Sequence, residues 1–306
     1  MANLRALVKR RKAVRNIRKI TRTMELIATT RFQRALKRAL EADAYTRKIA
    51  EITADLSHNL SGEISHPLLV SRPVRKGLLL VITANRGLCG GYNASILREA
   101  QAAIQRYQQQ GIPFELEVAG KRGITFFRFQ RLERSREYTH FEDRPAFAEV
   151  EVLASRYIEL YSTAAVDEVK VAYMKFHNAA RQEAVVETLL PLGSLTIESR
   201  RGTPVPPTAA STSPSGSTRW RIDYEFLPDA QEILAELVPT ACKVRLFKCF
   251  LDAAVSEQIA RRIAMKAATE NAGELIKEIT RLYNRTRQAN ITREITELIT
   301  SAEALK

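Results

Sequence analysis

From its first residue to Ser61 the chain contains neither glycine nor proline. These two residues are the strongest punctuation a sequence carries, so their absence over such a span permits one uninterrupted helix and little else. Leu4, Leu7, Val8, Val14, Ile17, Ile20, Met24, Ile27, Phe32, Leu36, Leu40, Ile49, Ile52 and Leu56 recur mostly three or four apart, the period of one helical face. Such a helix would extend roughly 80 Å, longer than a small domain is wide. The other end matches it. After Pro239 there is no further proline and only Gly273, while Leu246, Phe250, Ala253, Ile259, Ile263, Ala267, Leu275, Ile279, Leu282, Ala289, Ile295, Leu298 and Ile299 keep a near-heptad stripe. Two helices of this length cannot leave their stripes in water, and each is the other's simplest cover. The pattern predicts a long antiparallel, left-handed coiled coil of residues 1–61 with residues 240–306.

Between the helices the texture changes to that of an α/β domain, residues 77–195. Residues 77–83 read as a buried strand, 93–110 as a helix, 114–119 as a strand and 121–131 as a helix. A helix follows at 146–163, then strands at 168–176 and 184–190. Strands alternating with helices predict a Rossmann-like sheet, parallel first and closed by an antiparallel pair. Residues 196–239 form a further segment whose part 201–218, rich in Pro, Ser, Thr and Gly, reads as a loop.

Chemistry-bearing patterns are sparse. The Gly-rich stretch 83–93, between a strand and a helix, lacks both dinucleotide and P-loop spacing, so its glycines read as a tight turn with Asn93 as N-cap. Four scattered histidines make no metal motif, and Glu149 and Glu151 read as surface charge. Cys242 and Cys249, seven apart, read as a buried packing pair, and Cys89 as packed in its turn. Neither a disulfide framework nor a zinc site is indicated, and a reducing compartment is expected.

Charge narrows the partners. The net charge is +14, and Arg5, Lys9, Arg10, Arg11, Lys12, Arg15, Arg18, Lys19 and Arg22 precede the first acid, Glu25. A face of this kind suits nucleic acid, an acidic membrane surface or an acidic protein sleeve. A basic-zipper region keeps its basic and heptad parts apart, whereas here the apolar stripe runs through the cations. No apolar run reaches the roughly 20 residues that cross a bilayer. The Arg-rich N-terminus reads as mature structure rather than a transit peptide, because its pattern continues for some fifty residues. A nucleic-acid-binding helical hairpin and a nucleotide-binding enzyme remain the rival readings.

Four blocks carry a resemblance: Ile20-Thr-Arg-Thr-Met-Glu-Leu-Ile-Ala28, Asn85-Arg-Gly-Leu-Cys-Gly-Gly-Tyr-Asn93, the stretch from Ser256 to Leu275, and that from Tyr283 to Leu298. Together, in this order, they resemble the ATP synthase gamma-subunit family. The resemblance implies a non-catalytic central-stalk rotor without a cofactor. It would couple ion-driven rotation of a membrane c ring to ATP synthesis in a ring of three alpha and three beta subunits. Met24 resembles a residue facing the beta subunits; Arg287, Gln288, Thr292 and Glu294 resemble a polar cluster that meets a beta-subunit loop. Residues 220–228 resemble the foot, with Tyr224, Glu225 and Phe226 contacting the c ring and epsilon subunit, although Leu227 stands where many relatives carry an acid. The family further implies one copy per complex, no nucleic acid, and a peripheral position on the cytoplasmic face of a bacterial inner membrane. No cysteine lies between Cys89 and Cys242, which argues against thiol regulation of the chloroplast type.

Overall fold

The computed structural model describes residues 4–59, 66–141, 144–192 and 230–304. The loop 201–218 and the foot candidates Tyr224, Glu225 and Phe226 lie outside the described residues. Two helices dominate: α1, Leu4–Asn59, and one we call α5, Ala230–Ala304, of 75 residues. Between them lie β1 (Gly77–Ile82), α2 (Tyr92–Gln109), β2 (Phe114–Ala119), α3 (Lys121–Phe129), β3 (Arg136–Tyr138), α4 (Phe147–Ser162), β4 (Glu168–Phe176) and β5 (Gln182–Leu190).

The five strands run in the order β3-β2-β1-β4-β5, all parallel except the antiparallel β4–β5 pair. The sheet is buried on both faces, as a parallel sheet must be. Leu79, Val81, Leu116, Val118 and Met174 pack under α2 and α3. Leu78, Leu80, Val169, Val171 and Tyr173 meet α4 and the first third of α5. The long C-terminal helix is therefore both one strand of the coiled coil and a structural layer of the α/β domain.

Residues 66–76 strap α1's side of the chain onto the sheet. Arg72 donates to the carbonyls of Tyr161 and Val166 at 2.7 and 2.6 Å and pairs with Asp167, whose carboxylate also accepts the Arg75 and Lys76 amides. Glu117, wholly buried on β2, accepts from Tyr138 at 3.0 Å and Tyr157 at 2.7 Å and pairs with Arg156, so β2, β3 and α4 are tied through one carboxylate.

Three sequence expectations need correction. The last helix begins at Ala230 and carries Pro239 inside it, where a helix start after that proline was expected. The missing N–H removes one backbone bond, but Val238 and Cys242 beside it are completely buried in the domain core, and that packing carries the helix through. The short, polar strand β3 carries no strand-like pattern and was not anticipated. Asn93 is not the cap of α2. Gly91 occupies that position without a side-chain hydrogen bond, while Asn93 accepts the Ala84 amide at 2.9 Å and donates to the Cys89 sulfur.

Candidate functional site

The coiled coil is antiparallel: Asp43 pairs with Lys248, Thr269 donates to Thr21 at 2.8 Å, and the Arg11 guanidinium lies over the Tyr283 ring at 5.2 Å. On α1 the covered positions include Leu4, Leu7, Arg11, Val14, Thr21, Glu25, Ala28, Phe32, Ala35 and Ala39, three or four apart except for the seven from Val14 to Thr21. On α5 they include Met265, Thr269, Ala272, Ile276, Ile279, Tyr283, Thr286 and Asn290. A strict heptad imposes the left-handed supercoil. In the seam, alanine, threonine and charged stems alternate with buried Leu7, Phe32, Met265 and Ile279.

Much of the expected stripe lies elsewhere. Ile20, Met24 and Ile27 sit one position before the seam residues Thr21, Glu25 and Ala28, and these three and Ile17 are all exposed. On α5, Ile263, Leu275 and Leu282 are exposed too. Each helix thus carries two apolar stripes, of which the hairpin covers one. The periodicity is the same for both, so the sequence reveals that stripes exist but not which one faces inward. Exposed stripes of this extent mark surfaces that another chain covers.

The far tip takes this further. Extended from the Arg11–Tyr283 contact, the register places Leu4 beside Asn290, and residues 291–303 are exposed throughout. Among the described residues, at about 1.5 Å per residue, a single helix projects roughly 20 Å past the hairpin. Arg287, Gln288, Thr292 and Glu294 are all exposed there, and Thr292 donates to the Gln288 carbonyl at 3.0 Å. At about 100° per residue these four and Ile291, Ile295, Leu298 and Ile299 share one arc of roughly 160°. The polar cluster therefore lies within the apolar stripe, where Leu298 is 70% exposed. Arg293, Thr296, Glu297, Thr300 and Ser301 make up the other side, so the lone helix is amphipathic with nothing among the described residues to cover it. The basic residues flanking the α1 stripe, among them Arg10, Arg15, Lys19 and Arg22, are exposed beside it.

The α/β domain offers the other conceivable site. Open α/β sheets take ligands at the carboxyl ends of their strands, where strand order reverses, here at β1. That crevice is filled by α5: Phe250, Ala253, Ala254 and Glu257 close it against Ile82, Thr83, Tyr92, Ala119, Phe141 and Pro145, leaving about 20 Å³. Such a space holds one water, whereas small-molecule sites run to several hundred Å³. The three cysteines are buried. Burial drives the Cys242 and Cys249 thiols up to about 12, which keeps them in the unreactive form.

The comparisons with known proteins point one way. The profile of the family described as ATP synthase matches residues 3–305. The ATP synthase gamma chain of Rhodopirellula baltica is 50% identical over 307 residues, covering 100% of both chains. That of Leptospira biflexa is 38% identical, again over 100% of each. Among solved structures, a chain of the Euglena gracilis mitochondrial ATP synthase OSCP/F1/c-ring assembly matches with TM-score 0.62 at 18% identity, over 99% of this chain and 94% of that one. A chain of the same enzyme's rotor matches with TM-score 0.58 at 16% identity, over 94% and 98%. At such identities the likeness speaks for a shared fold.

Proposed function

Because the chain belongs to the ATP synthase gamma-chain family, we propose that it is the rotor of the central stalk, turning inside a ring of alpha and beta subunits and itself performing no chemistry. The observation that carries this reading is the pair of uncovered apolar stripes running into a lone amphipathic tip. A shaft whose hairpin is self-sufficient along one seam, yet apolar along a second, fits a close protein sleeve. Nucleic acid would use the cations and leave Ile17, Ile20, Met24 and Ile27 in water. An enzyme would need a crevice that α5 fills.

On this reading the Met24 stripe bears on the beta subunits, and Arg287, Gln288, Thr292 and Glu294 engage a beta-subunit loop with Ile291 and Ile295 between them. Tyr224, Glu225 and Phe226 are assigned to the c ring and epsilon subunit. The chain is held at the cytoplasmic face of the membrane through the c ring, one copy per complex. Ion-driven rotation of that ring would then present the asymmetric shaft to three catalytic sites in turn.

Tagged wild-type and Met24→Lys chains, purified from native membranes, are both expected to recover alpha, beta, epsilon and c subunits. In the variant a cation enters an apolar bearing surface, and ions pumped per ATP hydrolysed are expected to fall several-fold while assembly holds. Recovery of the chain without these subunits would overturn the rotor reading. Unchanged pumping in Met24→Lys would remove Met24 from the bearing.

A further inference from the structure

We propose that the Gly-rich β1–α2 turn, residues 84–93, is the grip that locks the α/β domain to α5 against rotation, with Tyr92 and Arg261 as its positioning residues. The inference rests on the rotor reading and says where torque crosses from domain to shaft. Three contacts lie on successive turns of one α5 face. The buried Tyr92 hydroxyl donates to the Ala253 carbonyl at 3.1 Å. Arg261, held one turn on by Glu257, donates to the Arg86 carbonyl at 3.4 Å. Further along, a Cβ built on Gly90 would stand 3.7 Å from that of Ala264. Residues 253, 257, 261 and 264 fall on one side of a helix and span roughly 16 Å.

The hydrophobic effect holds the domain on α5 but is itself non-directional. Hydrogen bonds to single carbonyls are directional and fix the angle of the domain about the helix. The turn is itself stiffened from behind. Asn85 donates to the Thr139 and Phe141 carbonyls at 3.2 and 2.8 Å and accepts the Lys121 amide at 3.0 Å. Asn93 ties Ala84 to Cys89. Leu88 and Gly90 both take left-handed φ, 65° and 58°, which aims the turn's backbone at the shaft. Two side chains of α5 bond the domain elsewhere: Lys243 donates to Glu151 at 2.9 Å and Ser256 to the Met174 carbonyl at 3.3 Å.

The test uses the assembled complex with a bead on the domain at Phe129→Cys, whose ring is 87% exposed. With the alpha/beta ring fixed and stalled, Tyr92→Phe keeps the ring and loses the bond. It is expected to widen the bead's angular variance about twofold, with subunit recovery unchanged. In a Cys89→Ser background without the bead, Gly90→Cys with Ala264→Cys places the two Cβ atoms within the usual disulfide range of about 3.5–4.5 Å. Oxidation is expected to leave ATP-driven ion pumping within about twofold of the reduced form. In the Tyr92→Phe variant, with the cross-link formed first so that both its thiols are consumed and the bead then attached by a maleimide, the cross-link is expected to restore the narrow variance. A cross-link that stops pumping until reduced would show that the domain must slide on α5 and would overturn the proposal, as would an unchanged variance in Tyr92→Phe. Failure to recover the complex with any of these chains, wild type included, would instead strike at the rotor reading.

Discussion

Gly120→Val is expected to destabilise the α/β domain by about 4 kcal/mol or more, enough to leave little folded chain. Gly120 follows β2 with φ at 102°, and a Cβ there would lie 2.1 Å from the Thr83 carbonyl oxygen and 2.6 Å from its hydroxyl. Neither group can retreat. Thr83 bonds the Ala119 carbonyl through its amide at 2.8 Å and through its hydroxyl at 2.9 Å, and the hydroxyl also accepts the Gly123 amide at 2.9 Å. Gly111→Ala separates backbone strain from collision, because Gly111 also has positive φ, 66°, but open space where its Cβ would go. That variant is expected to lose only about 1 kcal/mol. Denaturant unfolding of both full-length variants followed by circular dichroism reads the difference. Equal losses would mean that the close approach to Thr83 is not what demands glycine.

The second large effect concerns pH. Asp252 of α5 is only 5% exposed, at the junction where α1 and the sheet meet. Its neighbours are Lys248 on the same helix, Asp43 on α1, Lys175 and Tyr173 on β4 and Glu187 on β5. Lys248 is engaged by Asp43, and Lys175 bonds Glu187 at 2.8 Å, so the nearby cations already serve other carboxylates. Burial, opposed by Lys248 and reinforced by Asp43 and Glu187, pushes the Asp252 carboxyl up to about 7. The folded chain therefore favours the protonated form more than the unfolded chain does. That contribution is complete below the ordinary value of 3.8, declines as pH rises, and is gone above about 7. Asp252→Asn cannot ionise, and its stability advantage over wild type is expected to grow by roughly 2–3 kcal/mol between pH 5 and pH 8. Parallel stability profiles for the two chains would show that Asp252 is ionised in the fold throughout.

What could be read from the sequence divides along the range of the interactions involved. The absence of Gly and Pro before Ser61 and the stripes of both termini dictated the long helices, because helix periodicity is local. The buried β1, β2 and β4 declared themselves by apolar runs with β-branched residues, whereas β3 is three polar residues held by its neighbour's ladder. The division between seam and exposed stripe was illegible for a geometric reason. Thr21 and Ile20 belong to identical heptads one residue apart, and only the position of α5 decides which is covered. The candidate residues Arg287, Gln288, Thr292 and Glu294 came from family resemblance; their mixing with Ile291, Ile295 and Leu298 follows from helix geometry, and the structure adds that all of them are exposed. Asp252, Tyr92 and Arg261 take their roles from partners more than a hundred residues away, or from burial that such partners create, and no local pattern announces them.

The rotor claim meets its most direct test in the motion of this chain relative to its sleeve. With the alpha/beta ring fixed to a surface and a bead attached at Phe129→Cys, ATP should drive the bead in one direction with three pauses per turn, matching three catalytic sites. ATP turnover by a complex containing this chain while the bead stays still would contradict the account.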